Sequence, residues 1–356
     1  MVCMAGWSPA IPWDATEIGL QLAARGPGGF NTPVTSSDDK TTGSDEPSGN
    51  KPPAGLKTSV IRAQVTPTGI YATIDNPEGE GFIGSVQRYT ALIIGMILCG
   101  IVMSMALGPM VSLRGVPGPM ISQAIAPVWA VLVVLGCLAV CFLIAVGVAR
   151  IVNPAVGTFV LGAGLGTLSM GSGGYLDILF SGTPGLQIGL ETLAWGGMVL
   201  LMTAGIYRLT GPLPDQPEAD ASKSISPREI FSQGSLRAAG AGILAVVAVY
   251  LFASNDLKGQ SLAAAIIAGV ATGYLGRVLA PTIQPILLYA APCAFLAIGQ
   301  VVIFGSGTSE VISTWVQNGG PRLGVPTPVD VAAGALMGVS IGIGFSRGIV
   351  EAHAAR

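Results

Sequence analysis

Eight apolar runs, each long enough to cross a lipid bilayer, follow one another from Arg88 to the C-terminal end. They cover 89–110, 126–149, 153–171, 186–207, 238–254, 260–280, 283–304 and 328–349. About 20 helical residues cross a hydrocarbon core roughly 30 Å thick. Inside that core each backbone N–H and C=O must find its partner within the protein, and a helix does this segment by segment. The expected fold is therefore all-α, a polytopic transmembrane helix bundle of about eight spans. The third run is rich in glycine and the fifth is short, so these two are the least typical.

Composition agrees with a chain that has lipid for most of its solvent. Hydrophobic residues make up 51% of it and charged residues 10%, against about 25% charged in soluble domains. A formal net charge of −2 gives no electrostatic footprint for nucleic acid. The N-terminal stretch MVCMAGWSPAIPWDATEIGL lacks the basic start and long apolar centre of a secretory signal. The later spans are thus the expected membrane anchors, and the bilayer the first expected partner.

The loops test the count independently. With eight spans, one side receives Arg88, Arg150, Arg208, Lys223, Arg228, Arg237, Arg277, Arg347 and Arg356, and the other Arg114, Lys258 and Arg322. Nine against three is the bias of the positive-inside rule. It places both termini in the cytoplasm. The Ala/Gly richness and the preference for Arg over Lys suit a GC-rich bacterial genome, and the expected location is a bacterial inner membrane.

Two spans are framed alike. Glu191 precedes Arg208 by 17 residues and Asp330 precedes Arg347 by the same interval, with no charge between. That separation covers about 25 Å of helix, so each pair can reach opposite interfaces. Other features recur with the frames. Arg150 and Arg277 each stand four residues before a proline, and GSVQR and GSLR lead into the first and fifth spans. Polar segments with an acid and an aromatic residue (Asp177 with Phe180, Glu310 with Trp315) follow the third and seventh. This pattern suggests two parallel four-helix repeats, 87–210 and 237–356 including a short C-terminus, joined by a cytoplasmic connector over 211–236.

Residues 1–86 read as a polar, mostly disordered cytoplasmic tail, too rich in Pro, Gly, Ser and charge to bury a core. A short helix is expected near 14–25, capped by Asp14 with Glu17 three residues on. It is either a nascent helix without a partner or a docking peptide for a protein or the bilayer surface.

Candidate chemistry is sparse. The one histidine, His353, lies beside the C-terminus, and the five cysteines lack disulfide or metal-site spacing. No catalytic constellation is present and no cofactor or metal site is expected. MGSGG lacks the first glycine of a nucleophile elbow. Gly162 and Gly166, and the ladder Gly334, Gly338 and Gly342, are spaced for close helix packing. The stretch LGAGLGTLSMGSGG, with Ser169 and Ser172, could instead loosen the third span and expose carbonyls to a solute, with Pro292 kinking its counterpart. Gln300 is expected to bond between helices. Asp177, Glu191, Glu310 and Asp330 are candidate outer-mouth acids, either a cation-attracting vestibule or solvated helix ends. Three readings stay open: a small transporter or channel with its pathway between the halves, a membrane scaffold or accessory subunit whose tail docks a partner, and a membrane enzyme. The sequence leaves the solute and the oligomeric state open.

Overall fold

The computed structural model describes residues 82–183, 185–213, 230–304 and 322–354. The tail with its expected helix at 14–25, most of the connector, and Glu310 with Trp315 lie outside the described residues. What is described is all-α: no strand occurs among these residues, and only two isolated antiparallel bridges, Val111 with Pro117 and Ser112 with Ala124, tie the first long loop.

The helices, in chain order, are α1 (Phe82–Ser104), α2 (Pro127–Ile151), α3 (Pro154–Gly171), the short α4 (Tyr175–Phe180), α5 (Gly185–Thr210), α6 (Gln233–Ala239), α7 (Ile243–Phe252), α8 (Lys258–Leu279), α9 (Ile286–Phe304) and α10 (Pro328–Ala354). They supply eight segments long and apolar enough to cross a membrane, α6 and α7 acting as one span. The protein is an integral membrane protein. Their ends follow the sequence: proline stands at the first helical position of α2, α3 and α10, where its missing N–H costs nothing. Asn153 caps α3 by accepting from Val156 N at 2.9 Å, and Gly211 stops α5 with a positive φ of 90°.

Two expectations about the spans change. The helix of the first span starts seven residues earlier than the apolar run, because Gln87 and Arg88 continue the helix beyond its apolar stretch. The fifth is long enough only because α6 leads into α7 through a 3-10 turn at Gly240–Gly242. The ring of Phe295 lies where a Cβ on Gly242 would stand, 2.5 Å from Cδ2.

At the centre is α10, whose residues from Pro328 through Ser340 are all buried, as are the four that lead into it. It packs on α8, α3, α5 and α9. The α8 contact is backbone against backbone: a Cβ on Gly338 would come within 2.8 Å of Gly269 Cα, and one on Gly273 within 2.6 Å of Val339 O. The ladder Gly334, Gly338, Gly342 is thus a packing face, as its spacing suggests. On the α3 side, a Cβ on Gly162 would meet Leu336 Cβ at 2.7 Å, and one on Gly166 would meet Met337 Cε at 3.1 Å.

The third span is not loosened: α3 runs unbroken to Gly171. Its glycines are consumed by neighbours on several sides, Gly157 by Ala149, Gly164 by Cys99 and Gly171 by Leu107, and this packing holds the helix where propensity alone would not. Cys99 and Cys141 exchange thiol-to-carbonyl contacts at 3.8 and 3.6 Å between α1 and α2. Pro292 stands inside α9. Arg277, expected at the cytoplasmic end of the sixth span, is fully buried and donates to Ile283 O at 2.8 Å.

Candidate functional site

Helices α3 and α10 run antiparallel, and their polar residues meet in pairs along one line. Near the end that carries the start of α1 (the near end), Thr158 Oγ1 lies 2.9 Å from both the Tyr289 hydroxyl and Ser340 Oγ. Tyr289 is 3.2 Å from Ser340 and 3.5 Å from the Tyr207 hydroxyl. Four spans, α3, α5, α9 and α10, thereby share one buried hydroxyl cluster. Beside it opens a cavity of about 260 Å³, bounded by Asn153, Val156 and Phe159 of α3, Leu92 of α1, and Ser340 and Arg347 of α10. Ser340, the lining residue nearest the start of α10, lies midway along that helix.

Ten residues further toward the start of α10, about 15 Å along the helix, stands Asp330, with no exposed surface. Its Oδ1 accepts from Ser169 Oγ of α3 and pairs with Lys258 Nζ at 2.8 Å. Its Oδ2 accepts from Ser261 Oγ at 2.6 Å and from its own cap, Thr327 N, at 2.9 Å. The Lys258 ammonium also donates to Gly173 O at 3.0 Å and to Thr327 Oγ1 at 3.1 Å. Every oxygen and every N–H of the pair is engaged, the condition under which a buried ion pair is tolerated at all. Ser172 extends the cluster by donating to Ser169 O at 2.8 Å. The pair binds the end of α3 to α8 and α10. Between this cluster and the near cavity, Leu336 and Met337 fill the space against Gly162 and Gly166.

The other acids do different work. Glu191 on α5 accepts from Ile121 N at 2.7 Å, from Ser122 N at 3.3 Å and from Ser122 Oγ at 2.6 Å, so it clasps the long loop after α1. Asp177 on α4 accepts from Gly174 N at 3.0 Å and pairs with Arg114 at 2.9 Å. Gln123 bridges the same loop to Ser181 and Thr183, both at 2.8 Å. Of the described candidate acids, then, only Asp330 enters the helix seam. Gln300 bonds between spans, accepting from Thr192 Oγ1 at 2.6 Å and donating to Pro326 O at 2.9 Å.

Sequence reasoning named Asp330, Ser169 and Ser172 without joining them, named Lys258 only in the loop charge count, and did not name Ser261, Thr158 or Tyr289. A signal existed for Lys258: it is one of only three basic residues on its side and directly precedes a span. Comparison of the chain with protein-family models, with curated proteins and with solved structures finds no match.

Proposed function

We propose that the protein is a small-solute transporter caught with its far end closed and its near end open. The observation that carries this reading is Asp330. A carboxylate held fully inside a helix bundle is costly unless it has work to do, and this one lies on the same α3–α10 line as the cavity that ends at Ser340. In this reading the Asp330–Lys258 pair is the far gate. The near cavity is the vestibule, and Leu336 with the flexible side chain of Met337 is the constriction between them.

The packing also suits the two-repeat reading. The third span packs on the eighth (α3 on α10) while the fourth packs on the seventh (α5 on α9), the exchange that a two-fold relation between halves demands. The hairpins α1–α2 and α7–α8 correspond in the same way. Such an interface is where repeat-built transporters place their substrate. The positive-inside bias supports a cytoplasmic near end, as in a bacterial inner membrane.

The test needs no known substrate. In a variant without native cysteines, Ser340→Cys is labelled with a membrane-impermeant maleimide from each side of a vesicle. The expected result is labelling from the near side alone, with far-side labelling appearing when Asp330→Asn or the milder Lys258→Gln weakens the gate. Labelling from neither side, or from the near side alone in all backgrounds, sinks the transporter.

The backbone-tight α8–α10 seam favours a second reading, a rigid membrane scaffold whose tail recruits a partner. Gate variants that leave labelling unchanged, together with a partner lost on deletion of residues 1–30, are its expected signature.

A further inference from the structure

A second cavity, of about 410 Å³, lies between α2 and α5 and takes no part in the α3–α10 line. Its floor is buried, with Val134 and Leu138 each at 1% exposure and Trp195 at 4%. Its rim is turned outward, with Val128 at 74% and Val131 at 41%. In a chain that spans a bilayer, that rim faces hydrocarbon. The groove starts at Pro127, the first residue of α2, and ends at Leu138. Eleven helical steps cover about 16 Å, close to half of a hydrocarbon core roughly 30 Å thick. The groove is therefore as deep as one leaflet.

Its two ends differ. The deep end is apolar, Leu138 and Met198; the shallow end carries the Glu191 carboxylate and Ser122. Three N–H or O–H donors point at Glu191. No basic residue lines the groove. A lipid lying here with its chain against Val134, Leu138 and Trp195 has its headgroup beside the Glu191 carboxyl group. Phosphate-only anionic headgroups are repelled at that position, and a headgroup bearing an ammonium is attracted.

We propose that this groove is a lipid site, holding one acyl chain of a zwitterionic, ammonium-bearing phospholipid whose headgroup is selected by Glu191. Water cannot fill an apolar slot of this size favourably. The adjoining bilayer supplies a chain of the right length without any conformational change. The site is independent of the proposed transport pathway and stands or falls without it.

Native mass spectrometry of the full, delipidated protein tests it, with phosphatidylethanolamine and phosphatidylglycerol of identical chains as probes. The wild type is expected to retain one phosphatidylethanolamine about fivefold more tightly than phosphatidylglycerol, the scale of one ion pair at an interface. Glu191→Gln should keep chain binding and bring the two lipids level. Ala194→Trp, which fills the groove, should abolish retention of both. Should that variant fail to fold, Val131→Trp at the open rim makes the same test with room for the added ring. Equal retention of the two lipids by the wild type overturns the headgroup selection. Retention unchanged by the tryptophan variants, or a dimer that covers the groove, overturns the site.

Discussion

Glu191 and Asp330 stand at matching points of two similar frames, each an acid near the far end of a span with an arginine 17 residues later. Their surroundings are opposite. Glu191 is partly exposed and accepts from a loop that needs holding down. Asp330 is wholly buried, and its partners come from α3, α8 and the turn that starts α10. The difference lies in the company each helix keeps. α10 is surrounded by α3, α5, α8 and α9, whereas α5 has a lipid-facing side next to α2. One sequence motif therefore yields a peripheral clasp on α5 and an internal lock on α10. Position in the bundle, more than the residue itself, decides what an acid does.

The comparison breaks most sharply by deleting each carboxylate in turn. Asp330→Ala strands the Lys258 ammonium together with the Ser169, Ser261 and Thr327 donors. Removing one partner of a buried pair costs about 3–5 kcal/mol, so a large fall in unfolding temperature is expected in detergent. Lys258→Met in the same background should cost much less than it does alone, because the charge it leaves behind is already gone. Equal losses in both backgrounds would mean that the pair is not coupled.

Next in size is the seam that keeps Asp330 inside. Gly338→Ala places a Cβ where Ile266 O and Gly269 Cα already stand, and neither is a movable side chain. Overpacking of this kind costs about 1–3 kcal/mol. On the other acid's helix, Gly197→Ala meets nothing within 4 Å and should leave unfolding unchanged. A neutral Gly338→Ala would show that the seam yields, and the contrast between the two helices would narrow.

Glu191→Gln comes third. The amide keeps a carbonyl oxygen for Ile121 N and loses the charge that strengthens the Ser122 bonds, so about 1 kcal/mol is expected. The cost should be seen first as faster proteolysis of the loop over 108–126, with the bundle intact. Global unfolding as severe as that of Asp330→Ala would place Glu191 in the core and erase the distinction.

How much of this was legible follows from which interactions are local. Span length and apolarity are written residue by residue, so the eight spans and the all-α fold follow from the sequence. So do the packing faces of Gly334, Gly338 and Gly342, because helical period alone brings them together. Asp330 was legible as an acid near a helix start and illegible as a buried one. Its burial depends on Ser169 and Lys258, remote in sequence, and on an α3 that stays straight despite its glycines. Propensity argued for loosening there; contacts with Cys99, Leu107, Ala149 and Leu336 won. Arg277 escaped for the same reason, its partner carbonyl being set by the turn after α8.

The smallest expected effect belongs to Asp177. Arg114 pairs with Asp177 at 2.9 Å and lies 5.7 Å above the Phe180 ring, yet half of its side chain and 30% of that of Asp177 face solvent. Exposed pairs contribute little because water screens them and two flexible side chains must be held still. Arg114→Ala should therefore change stability by about 0.5 kcal/mol or less. Much of even that should vanish as salt is raised toward 1 M, where screening acts within about 3 Å. The Asp330–Lys258 pair has no solvent on its acid side, so the same salt series should leave its contribution nearly untouched. Two ion pairs of nearly equal length, one salt-sensitive and one not, would sort the acids by burial. A salt-sensitive Asp330–Lys258 coupling would mean that water reaches the carboxylate, and the internal lock would be open to solvent.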